Sequence, residues 1–360
     1  MRFVPARNCE AGMIVGKSVI LQGDIVFLRR GNSIKPEHLG LMHRFNIEGV
    51  FVEDAISAEV VPDSNVDPTV HKNARGIMRQ MFTKASLEKA DNASLSAAVD
   101  ETIDTMIDQI YDTTGNTTSI SLLKDYDDYT YQHSVDVGIL SIMIGKAMNL
   151  TRDQLSELGR AAFFHDTGKM FVPKEILHKP GRLTDEEFEV MRNHTTKGYE
   201  FVMNSLGLPE EIASPVLSHH EKYDGTGYPN GLAGDDIPLY SRIISVADVY
   251  DALNSKRVYK DAMIASEGYE FVMANLGTHF CPKVGMAFLR AVPPFPAGSI
   301  VKLSDGREAI IIKNEPNFMT RPKVKITKDP KLTPEEVANL PLLDLARNLD
   351  AISVTITKCM

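Results

Sequence analysis

The sequence predicts a mainly α-helical protein, in which a helical centre is flanked by a small α+β module on the N-terminal side and a β-rich segment on the C-terminal side. Two observations lead to this prediction. Apolar residues recur at helical spacing through most of residues 115–290, for example at Val135, Ile139 and Ile142. Near both ends of the chain, short β-rich runs alternate with turn residues instead.

The small α+β module is predicted over residues 1–60. Met13–Leu21 and Ile25–Leu28 are rich in β-forming residues and are separated by the turn sequence Gln-Gly-Asp. A helical pattern opens at Pro36, and a further short strand is expected at Val50–Val52. No side chains in this module point to chemistry.

Residues 61–114 are predicted to be a linker followed by a helical connector. Two stretches of helical periodicity are separated by a break at Asp91-Asn92. Residues 85–130 contain ten acidic residues and only two lysines, which gives this stretch a net charge of −8. Two interpretations stay open: a solvated helix face, which is the commoner case, or a helix pair that relays a signal or forms a homodimer.

The β-rich segment is predicted over residues 291–360. Ser299–Leu303 and Ala309–Ile312 flank the turn sequence Ser-Asp-Gly, which is a hairpin signal. A short helix is expected from Leu332 onward, and a final strand at Ala351–Ile356.

Composition excludes several classes of protein. The net charge of −9 argues against a protein that coats a DNA or RNA polymer, although a local basic pocket for a small anion is still allowed. No run approaches the roughly 18 apolar residues of a membrane span. The three cysteines, Cys9, Cys281 and Cys359, are too scattered for a disulfide framework, so a cytoplasmic location is expected.

The chemistry of the chain is concentrated in the helical centre, where five histidines stand in polar contexts and two aspartates accompany them. These residues are His133, His165, Asp166, His194, His219, His220 and Asp248. Imidazole and carboxylate together bind Fe, Mn, Zn or Ni. Seven such groups exceed the needs of one tetrahedral zinc and suit two ions that share a bridging carboxylate. Each of these residues also has an explanation that needs no metal. A salt bridge would account for the carboxylate of Asp248 in an apolar helix, and a position on the protein surface would account for the vicinal His219–His220 pair.

Two recognisable sequence motifs include or follow these residues. His165-Asp166 is an HD signature, and Gly227-Tyr228-Pro229 is a GYP signature that follows His219-His220. Together they resemble the HD-GYP family of cyclic di-GMP phosphodiesterases, within the HD metallohydrolase superfamily. The resemblance covers roughly residues 115–290, which we take as the metallohydrolase domain.

The resemblance implies how the ligands are shared between two ions. His133, in Tyr131-Gln132-His133-Ser134, matches the first ligand of the family. His133, His165, Asp166 and Asp248 would hold one ion. Asp166 would bridge to a second ion held by His194, His219 and His220. Some members bind a third ion through a glutamate one turn before the first histidine. Tyr129 stands there in this chain, so two divalent ions are expected, Fe or Mn, with Zn or Ni as substitutes.

The resemblance also implies catalytic and substrate-binding residues. Asp166 and Lys169 match catalytic positions, with Lys169 stabilising phosphate charge or protonating the leaving group. Arg257, Lys260, Tyr228 and Asp127 match positions that contact the nucleotide. One departure is Cys281, which stands before Pro282 where the family often has the better N-cap aspartate, so a local loss of stability is expected.

The implied activity is hydrolysis of cyclic di-GMP to pGpG and/or GMP by a hydroxide that bridges two metal ions. A cyclic GMP-AMP dinucleotide is the alternative substrate. A second alternative is a signalling module that senses a cyclic dinucleotide without cleaving it. All seven ligand positions are retained, which favours catalysis. The GYP loop is also a candidate surface for a protein partner.

Overall fold

The computed structural model describes most of the chain and divides it into two compact units. The described residues are 1–21, 25–45, 47, 49–60, 66–85, 92–112, 129–254, 265–315 and 318–359. One unit combines the described parts of residues 1–64 and 292–360, and the other combines those of 65–114 and 128–291. The helical connector thus belongs to the same unit as the predicted metallohydrolase helices.

The N-terminal part of the first unit is an α+β module, as predicted. Its elements are β1 (Arg2–Pro5), β2 (Ile14–Val15), β3 (Val19–Leu21), β4 (Ile25–Leu28), α1 (Pro36–Arg44) and β5 (Gly49–Glu53). The order β1-β5-β2 makes one antiparallel sheet, and β3 pairs with β4. Buried Val4, Val15, Leu28 and Met42 form its core. The predicted turn at 22–24 lies outside the described residues.

Apart from one isolated β-bridge between Leu276 and Phe280, the regular secondary structure in the described residues of the second unit is helical, which confirms the predicted fold class. Its helices are α2 (Pro68–Ala85), α3 (Asn92–Asp112), α4 (Tyr129–Ala147), α5 (Arg152–Phe164), α6 (Lys174–Leu177), α7 (Asp185–Arg192), α8 (His194–Glu200), α9 (Glu210–Ser218), α10 (Leu239–Asn254), α11 (Ala265–Ala274) and α12 (Pro282–Ala291). None of the helices in the described ranges combines the length and apolar character that crossing a membrane requires.

Helix α4 is the centre of the second unit. It is apolar on nearly every face and its side chains from Gln132 to Gly145 are buried, as expected of a helix surrounded by other helices. Helices α5, α10 and α12 pack against it. This arrangement brings the middle of α4, the middle of α10 and the C-terminal end of α5 close together.

The C-terminal part of the first unit is a five-stranded antiparallel sheet of order β10-β6-β7-β8-β9. Its elements are β6 (Ile300–Leu303), β7 (Glu308–Lys313), β8 (Lys323–Lys328), α13 (Pro334–Ala338), β9 (Leu343–Asp344) and β10 (Ile356–Cys359). The predicted β6–β7 hairpin is present. The final strand predicted at Ala351–Ile356 is wrong, because a 3₁₀ turn at Leu349–Ala351, capped by the Asn348 side chain, delays the strand to Ile356.

The two flanking segments pack together within the first unit. Buried Val60, Ala297 and Ile310 form a shared apolar cluster. The Phe3 amide donates to the Gly298 carbonyl at 3.2 Å. The four sequence segments therefore group into two compact units, while their borders at residues 60, 114 and 290 stay a prediction.

Candidate metal centre

The seven predicted ligands converge from five places in the second unit. His133 lies within α4, His165-Asp166 follows α5, His194 opens α8, His219-His220 follows α9, and Asp248 lies in the middle of α10. Six of the seven are buried, and the His220 side chain keeps 25% of its surface exposed. The convergence brings together side chains that are far apart in the sequence.

The ligand atoms form two overlapping groups that share Asp166. One group is His133, His165 and Asp166, and the other is Asp166, His194, His219 and His220. Within each group, the potential ligand atoms all lie within 4.8 Å of one another. Two atoms that bind one ion at about 2.1 Å are at most about 4.2 Å apart, so each group is close to the separations that metal coordination requires.

Asp248 lies beside the first group. Its Oδ1 is 3.0 Å from His133 Nε2 and 4.0 Å from His165 Nε2. Its Oδ2 is 3.8 Å from His220 Nδ1, which belongs to the second group. Asp248 therefore lies beside His133 and His165 of the first group and His220 of the second.

Three of the histidines are oriented by the backbone of the helix that they follow. The Nδ1–H of His165 donates to the Ala162 carbonyl at 2.7 Å, and that of His219 donates to the Val216 carbonyl at 2.8 Å. The Nδ1–H of His194 donates to the Met191 carbonyl at 2.6 Å. Carbonyls in the last turn of a helix lack an intrahelical donor, so a histidine just beyond the turn satisfies one. Because a carbonyl only accepts, Nδ1 carries the proton and Nε2 presents a lone pair.

The lone pairs at Nε2 lie close to another hydrogen-bond acceptor, the carboxylate of Asp166. The Nε2 atoms of His165, His194 and His219 and the Oδ1 of Asp166 are buried and have no hydrogen-bond partner among the described residues. His165 Nε2 lies 3.4 Å from Asp166 Oδ2, and His194 Nε2 lies 3.5 Å from Asp166 Oδ1. Each unsatisfied buried polar group costs about 1–3 kcal/mol. Acceptors that converge in this way fit bound divalent cations, which would satisfy all of them at once.

The electrostatics of the site favour the ligand forms of these groups at neutral pH. Burial would raise the pKa of Asp166, but the Lys169 ammonium outweighs burial and holds this pKa well below its ordinary value. Burial lowers the pKa of His194 to about 4 and that of His220 to about 3. Ionised carboxylates and neutral imidazoles are the states that bind a metal.

Lys169 and Gly168 fix the surroundings of Asp166. Lys169 lies in the 3₁₀ turn Thr167–Phe171, and its Nζ donates to Asp166 Oδ2. Gly168 packs directly on the backbone of α8, where any Cβ would overlap the His194 carbonyl. The glycine therefore allows α8 to bring His194 close to Asp166.

The GYP loop covers one side of the centre. The Tyr228 ring lies 4.8 Å from the His220 ring, and the Arg192 guanidinium lies 4.7 Å from the centre of the Tyr228 ring. Burial raises the pKa of Tyr228, so its phenol is neutral. Gly227 packs against the Lys222 backbone with no room for a side chain. Tyr228 is thus placed beside the predicted ligands, as a substrate-contacting residue requires.

Glu221 holds this loop and was assigned no role from the sequence. Its buried carboxylate accepts from the Asn230 amide at 2.7 Å and from the Leu232 amide at 3.1 Å. The available signal was an acid that stands just before a glycine-rich loop, where backbone amides need acceptors.

Two further buried aspartates were also missed. Asp251 on α10 pairs with His133, and Asp136 on α4 pairs with His71 on α2. The sequence signal for Asp251 was its position one helical turn after Asp248, on the same face of α10.

Three predicted substrate-binding residues fall outside the described residues. These are Asp127, within 113–128, and Arg257 and Lys260, within 255–264. Their roles stay predictions. The same is true of the stability effect predicted for Cys281, which is buried immediately before α12.

Comparison with known proteins places this centre in a family. Residues 117–284 match the family model described as HD domain. A cyclic di-GMP phosphodiesterase of Pseudomonas aeruginosa is 37% identical over 254 residues, which cover 70% of this chain and 60% of the relative. A cyclic di-GMP phosphodiesterase of Thermotoga maritima is 40% identical over 176 residues, 48% of this chain and 47% of the relative. The 3'3'-cGAMP-specific phosphodiesterase 2 of Vibrio cholerae is 39% identical over 156 residues, 43% of this chain and 30% of the relative.

The helical unit and its histidine–aspartate cluster are those of an HD-domain protein. Residues 117–284 match an HD domain and carry both the HD and the GYP signature, and the relatives reported above are named cyclic dinucleotide phosphodiesterases. The chain spans 60% or less of the length of these three relatives.

Proposed function

We propose that this chain is a metal-dependent phosphodiesterase that hydrolyses cyclic di-GMP to pGpG and/or GMP. The observation that carries the proposal is the convergence of buried, unsatisfied ligand atoms around Asp166. The names of the Pseudomonas and Thermotoga relatives supply the substrate class.

Two divalent ions, Fe or Mn, are the proposed cofactors, with Zn or Ni as substitutes. One would be held by His133, His165, Asp166 and Asp248, and the other by Asp166, His194, His219 and His220. When bound, such ions stabilise charge on a phosphate and supply an activated water for attack on phosphorus.

The protein's own residues would bind and orient the nucleotide. The Lys169 ammonium, held against Asp166, lies where it offsets negative charge on a phosphate or protonates the leaving oxygen. The neutral Tyr228 ring lies against the His220 ring at the side of the centre, where it would contact a bound nucleotide. Arg257, Lys260 and Asp127 are proposed, from the family resemblance, to contact phosphates and bases.

The test is anaerobic incubation of the Fe- or Mn-loaded full chain with cyclic di-GMP, with pGpG and GMP resolved by chromatography. Asp166→Asn should abolish turnover. Asp136→Asn is the matched control, because it alters another buried aspartate that is paired with a histidine outside the two ligand groups. No product from metal-loaded, folded parent protein would refute the proposal for this substrate.

Hydrolysis of 3'3'-cGAMP is the second candidate function, because the Vibrio relative is named for that substrate. Parallel incubations at equal concentration separate the two, through the ratio of kcat/KM values. Tight binding of either dinucleotide without cleavage would instead support a sensing module.

Location and partners complete the proposal. The three cysteines form no disulfide with one another, which supports a reducing cytoplasm. A protein partner at the GYP loop and a homodimer through the connector helices are also proposed.

A further inference from the structure

His133 is held differently from His165, His194 and His219, which donate to the backbone of the helix that each one follows. Its Nδ1 lies 2.7 Å from Asp251 Oδ2, so the contact joins α4 to α10 through two side chains. Both side chains are buried, with 2% of His133 and 1% of Asp251 exposed. The pair is therefore shielded from water, where a charge-assisted hydrogen bond is short and directional.

Asp251 stands one helical turn after Asp248 on α10. Asp248 Oδ1 lies 3.0 Å from the Nε2 of the same His133 ring. The two aspartates therefore contact opposite nitrogens of one imidazole. A carboxylate that accepts from Nδ1–H fixes the tautomer, orients the ring and makes Nε2 a stronger donor to a metal.

We propose that Asp251 is a positioning residue that holds His133 for the first ion and so sets the affinity of that ion site alone. The proposal rests on the metal centre described under the proposed function. The second ion site does not depend on Asp251, because His194 and His219 are fixed by backbone carbonyls.

The chain supplies a matched control on the same helix. Asp136 stands one turn after His133 on α4, is also 1% exposed, and lies 2.8 Å from the Nε2 of His71. His71 belongs to neither ligand group. Asp136→Asn thus removes the charge of a comparable buried pair whose histidine is not a predicted ligand.

The experiment is a Mn²⁺ titration of the full chain, its Asp251→Asn variant and its Asp136→Asn variant, with bound metal counted after equilibrium dialysis. We expect two ions on the parent and on Asp136→Asn. On Asp251→Asn, one ion should keep its affinity and the other should bind about 10- to 100-fold more weakly. Unchanged affinity for both ions, or equal weakening in Asp136→Asn, would overturn the proposal.

A double-mutant cycle separates positioning from a general structural role. In a His133→Gln background, Asp251→Asn should no longer change Mn²⁺ affinity, because the histidine that it orients is gone. An undiminished effect in that background would show that Asp251 acts on the fold and would overturn the proposal. A parent that binds two ions without cleaving any cyclic dinucleotide would refute the proposed function and leave this inference standing.

Discussion

The two halves of the metal centre are built by different means. In the half formed with His133 and Asp248, these two ligands project from the middles of α4 and α10, and His133 is held by another side chain, although His165 in the same half is held by a carbonyl. In the half formed with His194 and His219, ligands follow the last turns of helices and are held by backbone carbonyls. A ligand that is held by a side chain can be lost through one remote substitution. A ligand that is held by a carbonyl depends on the helix itself.

Among residues that are not ligands, the largest expected effect on turnover concerns Lys169, which contacts the ligand shared by both halves. Lys169→Met should lower kcat by about 10²- to 10³-fold, the scale expected when one charge-stabilising group is removed. Both ions should stay bound, because the lysine is not a ligand. Steady-state kinetics with metal analysis checks this. Loss of an ion in the variant would show that Lys169 supports the ligands instead.

Gly168→Ala should separate the halves. Its Cβ would overlap the His194 carbonyl, so α8 must move away from Asp166, and we expect a loss of about 3 kcal/mol in the free energy of unfolding. The ion held with His194 should be lost first. Gly138→Ala is the control, since its Cβ would meet only Phe163 at 3.9 Å. Denaturant unfolding measures both. Equal stability of the two variants would contradict the close packing of Gly168.

A pH titration of stability tests the half of the centre that contains His194 and His220. The pKa of His194 is lowered to about 4 and that of His220 to about 3 by burial, whereas unfolded histidines titrate near 6.5. The unfolded state therefore binds more protons below that pH, so the metal-free protein is most stable above about pH 6.5 and loses stability on acidification. His194 alone accounts for about 3 kcal/mol by pH 4. Denaturant unfolding at several pH values should show the decline, and His194→Gln should flatten it.

The smallest expected effect concerns the GYP loop, which lies outside both sets of ligands. Glu221→Gln removes a charge that accepts from two backbone amides. We expect KM for cyclic di-GMP to rise about tenfold, since charged acceptors contribute about 1.5–3 kcal/mol per hydrogen bond, part of which the amide oxygen retains. Metal content should not change. A fall in bound metal would mean that the loop supports His220 as well as the substrate.

The same contrast explains how much the sequence could predict. Ligand type and motif spacing were enough to select seven residues that the fold brings together, and helical periodicity was enough for the second unit. Asp251 and Glu221 were missed because their roles depend on which helix or loop amide lies opposite, and periodicity does not report that. The misplaced final strand had a local cause, the side-chain cap at Asn348.

The most direct test of the two-ion centre is turnover of cyclic di-GMP by the full chain as a function of Mn²⁺ bound per chain. Because Asp166 lies in both ligand groups, the account predicts little product at one ion and full turnover as the second binds. Full turnover at one ion per chain, or none at two, would contradict it.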